Sequence, residues 1–283
     1  MSRADLDLGK PCDKDGNILP NGAPPPPFLY GLTDDFTPYE HHAAFELADL
    51  VYCCNQMPAG QLNDLLQIWC STMQNGTDPP LANTDDLYQT IDATTIGSVP
   101  WESFTISYSG DMGPGEPPSW KTAEYEVFYR DPHAILLNQL SNQDFAAEMD
   151  FAPKRVTDAQ GKCHYQDFMS GNWAWRQADR ISEELQLKDV TFCPVISGSD
   201  KTTVSVATGQ NEYYPFYISN GIIHNGVSLA AFLSIPKMDC EHHDSPEFRT
   251  FRHQLFHGSL REIFQSLHPA METPEVIRYG DGH

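Results

Sequence analysis

An aspartate follows a short apolar run in the C-terminal half of the chain. Asp200 stands in Gly-Ser-Asp-Lys-Thr, after the run around Val195 and before an alternating run that begins at Thr203. A carboxylate at the end of a strand suits Mg²⁺, and two such ions can hold the attacking and leaving oxygens of a phosphoryl transfer. An aspartate in a turn also bonds its own backbone two residues on. The spacing alone favours the turn interpretation of Asp200 over the metal-binding one.

Two other segments contain residue types that bind ligands. Cys240–Asp244 reads Cys-Glu-His-His-Asp, but adjacent residues rarely converge on one ion, so a solvated loop is favoured over a zinc site. Arg249, Arg252 and Arg261 follow the polar face of a predicted helix, where solvent exposure is favoured over contact with phosphate. The sequence has no glycine-rich phosphate loop, no G-x-S-x-G and no H-E-x-x-H.

The charge of the chain is unevenly distributed. Residues 1–150 carry 23 Asp and Glu against 5 Lys and Arg, a net charge of −18, and residues 151–283 carry 16 against 12, a net charge of −4. Affinity for DNA comes largely from neutralised phosphates, so the charge argues against an autonomous DNA-binding protein. If DNA binds, we expect weak, salt-sensitive binding through residues after 151.

The cysteines and the termini indicate an intracellular protein. The seven cysteines form no C-x-x-C pair, a pattern typical of reduced thiols. The N-terminus lacks the apolar stretch of a signal peptide, and no apolar run approaches the ~20 residues of a membrane span. We therefore expect no membrane association. Four prolines in Ala23–Phe28 favour extended polyproline II, and a flexible tail over residues 1–38 is favoured over a ligand for a proline-binding module.

Apolar periodicity predicts the helices that surround these candidates. Residues 39–98 are predicted to be helical, with two helices between Pro38 and Asn75 and a third near Asp85–Thr94. Asp131 and Pro132 open a further helix as N-cap and first residue, and Asn172–Gln186 forms the next, with Trp173 and Trp175 as core anchors. The longest helix is predicted from the Ser245 cap to His268, with Pro269 ending it.

Alternating β-branched and aromatic residues predict strands in the second half. Ser103–Tyr108 and Ala123–Arg130 are predicted strands, followed by three more at Val190–Gly198, Thr203–Ala207 and Glu212–Ser219. We expect the last three to form an antiparallel meander with the Ser245–His268 helix on one face. The fold class is therefore α+β. The predicted regions are the tail 1–38, the helical region 39–98, a mixed accessory region 99–188 and a partial core 189–283.

Several longer segments of the sequence resemble the Plavaka transposases, CACTA-like elements of mushroom-forming fungi. These segments include DFMSGNWAWRQAD, GSDKTTVSVATGQNEYYPFYIS, FRHQLFHGSL and PEVIRYGDGH, and the resemblance runs in the order of the family from about Pro38 to His283. The resemblance implies a DDE-type transposase with a ribonuclease H-like core, which uses divalent metal, Mg²⁺ by resemblance, to cut and rejoin DNA in the nucleus. It also implies that Asp200 is the first catalytic, metal-binding aspartate.

The sequence also departs from the family pattern. No counterpart of the family's Asp-Tyr-Pro-Glu segment or later catalytic acid occurs, and Asn225–Phe232 is short and lacks the paired arginines. Asp281 is a candidate second carboxylate if the final residues form a fourth strand, while Glu247 and Glu262 lie on the long helix.

Our leading hypothesis is a truncated, catalytically inactive transposon-derived protein that binds DNA weakly and takes no small-molecule substrate. Two alternatives stay open: a non-catalytic interaction module retained from a transposon, and a metal-dependent nuclease completed by a second chain. The sequence says nothing of the oligomeric state.

Overall fold

A computed structural model describes residues 10–20, 22–24, 36–73, 79–94, 99–185, 190–205, 211–237 and 245–282. The chain divides into two compact units, residues 28–98 and residues 1–27 with 99–283. The predicted region boundaries stay predictions. The segment Cys240–Asp244 and most of the proline tail lie outside the described residues.

The unit of residues 28–98 is helical where it is described. It contains α1 (His42–Ala48), which continues as a π-helical turn Asp49–Cys54, then α2 (Ala59–Thr72) and α3 (Thr84–Asp92). The apolar stripes of these helices meet in one small core, formed by Ala48, Val51, Leu62, Leu66, Leu81 and Leu87.

Five strands of the larger unit form one antiparallel sheet. They are β1 (Trp101–Ser107), β2 (Glu124–Arg130), β5 (Val195–Ser199), β8 (Pro215–Asn220) and β9 (Val227–Phe232), in the order β1-β2-β9-β8-β5. The sheet therefore joins strands from both sides of residue 189. Short pairs complete the described strands: β3 (Val156–Thr157) with β4 (Cys163–His164), and β6 (Thr202–Ser205) with β7 (Asn211–Tyr213). The α+β class is confirmed.

The three strands predicted as a meander are arranged differently. The predicted first and second strands form one arm of a long hairpin, β5 followed by β6, and the predicted third strand forms the other arm, β7 followed by β8. Ser199 pairs with Phe216 and Thr202 with Tyr213 in one continuous register. Pro215 has no N–H for the ladder, so the pairing is interrupted there. The third strand of the sheet is β9, which pairs with β8 and was not predicted.

Helices α4 (Ser119–Thr122), α5 (Pro132–Ser141) and α7 (Pro246–Ile263) pack against one face of this sheet. The unit also contains α6 (Asn172–Leu185) and α8 (His268–Glu272). The core between sheet, α5 and α7 contains Val127, Phe216, Ile218, Ile135 and Ile263, and the last three are at most 3 % exposed. A second cluster packs Trp120 and Tyr125 against Phe251 of α7.

The helix starts follow the sequence, but the end of the long helix does not. Asp131 accepts a bond from the His133 N–H at 2.9 Å, and Ser245 caps α7, with a proline next in each case, as predicted. The long helix, however, ends at Ile263 and passes through a 3₁₀ turn into α8. Pro269 therefore lies in the first turn of α8, where its missing N–H costs nothing.

Two further predictions for side chains and strands are wrong. Trp173 is no core anchor, because it is 47 % exposed, although its ring contacts Phe168 and Phe192. No strand forms over residues 273–282, so the fourth strand proposed to present Asp281 is absent from this described segment.

Candidate functional site

Asp200 lies in the interruption between the two parts of the long hairpin. It follows the last residue of β5 and is exposed. Since Ser199–Phe216 and Thr202–Tyr213 share one register, Asp200 lies across from Pro215. Its backbone carbonyl accepts a bond from the Thr202 hydroxyl at 3.4 Å. The next residue, Lys201, pairs with Glu212 at 2.7 Å across the hairpin. The proline thus opens the hairpin at the position of the aspartate.

Within the described residues, Asp200 belongs to no group of three side chains that converge as metal ligands. Glu247 and Glu262 of the long helix belong to no such group either, and Glu247 extends toward Lys121 of α4, 3.3 Å away. A single exposed carboxylate does not make a Mg²⁺ site of the kind that the resemblance implies, because two-metal chemistry needs several converging oxygens. The assignment of Asp200 as a catalytic, metal-binding residue stays a prediction.

The structure brings a different set of ionisable residues together. The possible ligand atoms of Asp150, Asp167 and His224 all lie within 4.8 Å of one another. The Lys154 ammonium donates to Asp150 Oδ2 at 2.6 Å and to Asp167 Oδ2 at 2.8 Å. His224 Nε2 lies 2.7 Å from the same Asp150 oxygen and 3.7 Å from Asp167 Oδ2. We call these four residues the ion-pair cluster.

Local backbone structure holds each member of the ion-pair cluster. An isolated bridge pairs Met149 with Ile223, and the Asp150 N–H donates to Ile222 O at 2.9 Å, which sets Asp150 beside His224. Asp167 caps the 3₁₀ turn Phe168–Ser170 in a reciprocal capping box, so its carboxylate is anchored before it meets Lys154. The Lys154 N–H donates to Met169 O at 3.0 Å.

The turn that presents His224 is held from inside the protein. Asn220, fully buried at the end of β8, accepts bonds from the Ile222 and Ile223 N–H groups at 3.1 and 3.0 Å. Its amide nitrogen donates to Gln139 Oε1 of α5 at 3.0 Å. Asn220 therefore ties the β8–β9 connection to the helix layer.

Electrostatics in the cluster favour the charged forms of Lys154 and Asp167. Burial by itself lowers the pKa of Lys154, but its hydrogen bonds and attraction to the two aspartates outweigh burial, so this pKa is raised. Burial raises the pKa of Asp167, but the Lys154 bond and the Ser170 N–H outweigh it, so this pKa is lowered.

A divalent cation does not fit the cluster as it stands. Two carboxylates and an imidazole are suitable ligand types. However, the Lys154 ammonium already contacts the aspartate oxygens that an ion would use, and Mg²⁺ prefers oxygen to imidazole nitrogen. We therefore assign the cluster a structural role, in which Lys154 is the cation between the carboxylates.

Comparison with known proteins identifies the family. The model of the Plavaka transposase family matches residues 81–283 of the chain. The chain belongs to the Plavaka transposase family. No curated protein and no solved structure matches it.

The match includes most of the elements of this Plavaka chain that carry candidate residues. It begins just before α3 and contains the whole five-stranded sheet, Asp200 and the ion-pair cluster. In the described part of the chain, no helix is long and apolar enough to cross a membrane.

Sequence reasoning missed the ion-pair cluster of this Plavaka chain. Its members come from positions 150, 154, 167 and 224, so no short motif contains them. Two local signals were present, the i, i+4 spacing of Asp150 and Lys154 and the capping pattern that begins at Asp167. Neither signal indicates that the two segments meet, which depends on the bridge between Met149 and Ile223.

Proposed function

We propose that the protein derives from a DDE-type transposase whose substrate is DNA, with Asp200 in the position of the first catalytic aspartate. Membership of the Plavaka family is the observation that carries this proposal. The proposed ancestral reaction is metal-dependent DNA strand cleavage and transfer, with Mg²⁺ as the proposed ion. The metal would polarise the scissile phosphate and activate the attacking oxygen when several carboxylates hold it. The same ancestry predicts nuclear localisation, which imaging of a tagged chain in a fungal host would check.

The order of elements after residue 190 supports a ribonuclease H-like core. The strands β5, β8 and β9 are antiparallel neighbours, and α7 follows them and packs its Ile263 end into the core beneath the sheet. Among the described strands, β5 pairs only with β8 and is therefore the edge strand of the sheet next to Asp200. A fourth strand at that edge is what the proposed core requires.

We expect no Mg²⁺- or Mn²⁺-dependent DNA cleavage by the purified 283-residue chain. The reason is that Asp200 is not joined by two further converging ligands in the described residues. Incubation with supercoiled plasmid and either metal, followed by gel electrophoresis, measures nicking. Cleavage that disappears in Asp200→Ala would contradict this expectation and favour the alternative of a nuclease completed by a second copy.

The same Asp200→Ala variant serves as a stability control. We expect its free energy of unfolding to lie within ~1 kcal/mol of the wild-type value, because the side chain is exposed and its backbone carbonyl supplies the bond to Thr202. Urea denaturation measures this difference. A larger loss would mean that Asp200 holds the hairpin together, as a turn aspartate does.

We expect weak, salt-sensitive binding of duplex DNA through residues after 151. The exposed Arg249 and Arg252 on α7 are the proposed phosphate contacts, since the preceding half of the chain has a net charge of −18. Fluorescence anisotropy with the full chain measures the affinity at low and physiological salt. Cutting at residue 150 is unsuitable, because it would separate β2 from β9.

Charge-removing variants identify the region that binds duplex DNA. Replacing Arg249 and Arg252 together with serine should weaken duplex binding several-fold at low salt and reduce its salt dependence. Lys14→Ser, at an exposed lysine in the acidic half, is the control for loss of a positive charge elsewhere and should leave the affinity unchanged. Equal losses in both variants, or tight binding at physiological salt, would contradict the proposed role of the second half.

A further inference from the structure

The two faces of the five-stranded sheet differ in what covers them. The face toward α5 and α7 contains Val127, Ile218 and Ala231, all fully buried. Successive side chains of a strand lie on opposite faces of the sheet, so the residues that alternate with these three lie on the other face. Trp101, Phe128 and Tyr217 lie there and are 41–46 % exposed. We call this surface the outer face.

Four aromatic side chains of the outer face form one group. Trp101 and Phe232 stack at 5.5 Å between ring centroids with 22° between their planes. Tyr213, itself 50 % exposed, contacts the other side of the group at 5.6 Å from the Phe232 centroid. Phe128 pairs directly with Phe232 across the sheet. Trp101, Phe128 and Tyr213 are 45–50 % exposed, so part of each of these rings is open to solvent, where a base can stack.

A cation lies at one end of the aromatic group. The half-buried Arg130 guanidinium donates to Leu229 O and lies 5.2 Å from the centroid of the Trp101 ring, which is across from it in the β1–β2 register. A guanidinium beside an indole favours both a phosphate and the face of a base. Glu124 and Glu126 occupy the same face further along β2, so phosphate contact is favoured at the Arg130 end alone.

The register connects the aromatic group to Asp200. Asp200 lies across from Pro215, Pro215 pairs with Phe232, and Phe232 pairs with Phe128. Asp200 is also an even number of residues from Ile196 and Gly198, which lie on the outer face, so position 200 belongs to the same face. The row that crosses the sheet from Phe128 therefore ends at the proposed catalytic aspartate.

We propose that the outer face binds single-stranded DNA by stacking unpaired bases on Trp101, Phe128, Tyr213 and Phe232, with the strand directed toward Asp200. This inference rests on the proposed function, because it takes DNA as the substrate. Aromatic rings in one row with a guanidinium at its end suit bases and a phosphate better than they suit an apolar protein segment. Bases in a duplex are already stacked on one another and cannot occupy this surface.

Binding of single-stranded DNA and binding of duplex DNA should differ in their dependence on salt. Stacking on aromatic rings releases few counterions, whereas phosphate contact releases many. We therefore expect an oligothymidine of about 15 nucleotides to bind the full chain more tightly than a duplex of equal length at physiological salt. Anisotropy of the two labelled probes measures both affinities.

Substitution of one aromatic residue tests the contact surface. Trp101→Leu should weaken oligothymidine binding about 10-fold, and Trp101→Phe should recover most of the loss, since a ring remains. Trp173→Leu is the matched control, because Trp173 is equally exposed but lies on α6, outside the sheet. It should change the affinity less than about 2-fold. Tyr213→Leu supplies a second test should Trp101→Leu fail to fold.

Three outcomes would overturn the inference. They are no binding of oligothymidine by the wild-type chain, equal effects of Trp101→Leu and Trp173→Leu, and self-association that Trp101→Leu abolishes in sedimentation experiments. The last result would assign the outer face to a second copy of the chain. The proposed function fails separately, if plasmid cleavage by the chain is present and survives Asp200→Ala.

Discussion

Asn220→Ala is expected to lower the free energy of unfolding by about 3–4 kcal/mol. The side chain is fully buried and makes three hydrogen bonds, two from the Ile222 and Ile223 N–H groups and one to Gln139. Alanine leaves those partners in the interior without a bond, and each unsatisfied group costs about 1–3 kcal/mol. Urea denaturation followed by circular dichroism measures the loss.

Asn225→Ala is the matched control for this substitution. Asn225 is exposed on the same β8–β9 connection, and its amide reaches Glu148 only at 3.5 Å. We expect a change below about 0.5 kcal/mol. Similar losses in the two variants would show that the connection, rather than the buried amide of Asn220, determines the stability of this region.

Lys154→Met is expected to lower the free energy of unfolding by about 2 kcal/mol at neutral pH. Methionine keeps the apolar stem but leaves the Asp150 and Asp167 carboxylates facing each other without the ammonium between them. Breaking a fully buried pair costs about 3–5 kcal/mol. The expected loss is smaller, because the Lys154 side chain is 32 % exposed and water screens part of the interaction.

Lys201→Met is the control for the loss of a lysine from an ion pair. Lys201 pairs with Glu212 at 2.7 Å, but its side chain is 47 % exposed, so we expect a loss below about 1 kcal/mol. Equal losses in both variants would contradict the structural role of the ion-pair cluster. Mg²⁺ should leave the unfolding midpoint of the wild-type chain unchanged. A rise with Mg²⁺ that becomes larger in Lys154→Met would show that an ion competes with Lys154 for the aspartates of the cluster.

The pH dependence of the Lys154→Met effect follows from the Asp167 carboxyl. Its pKa is lowered in the folded protein, so its contribution to stability is present above the ordinary carboxyl pKa and is lost as pH falls through the folded value. The difference between wild type and variant should therefore narrow below about pH 4. The pKa of Lys154 is raised, so its contribution persists at neutral pH and is lost only in strong alkali. A difference that grows in acid would contradict this account.

Local sequence was sufficient for several parts of this protein. The start of α5 at Asp131 and Pro132, and that of α7 at Ser245 and Pro246, follow from caps that involve neighbouring residues only. The alternating pattern of residues predicts the strands β1 and β2. The resemblance of longer segments predicts the Plavaka family, which the family model confirms over residues 81–283. These features depend on neighbouring residues or on long, unusual sequence segments, so they can be predicted without knowing which distant residues are in contact.

Only the tertiary structure decided how those elements meet. The alternating pattern predicts three strands, but the continuous register across Pro215 joins those segments into one hairpin. The next strand of the sheet is β9, which pairs with the free edge of β8. The ion-pair cluster unites Asp150 and Asp167 with His224, and the outer face unites Trp101 with Phe232. Such contacts depend on strand pairing between residues far apart in sequence. Local propensity, which acts over a few residues, contains no information about that pairing.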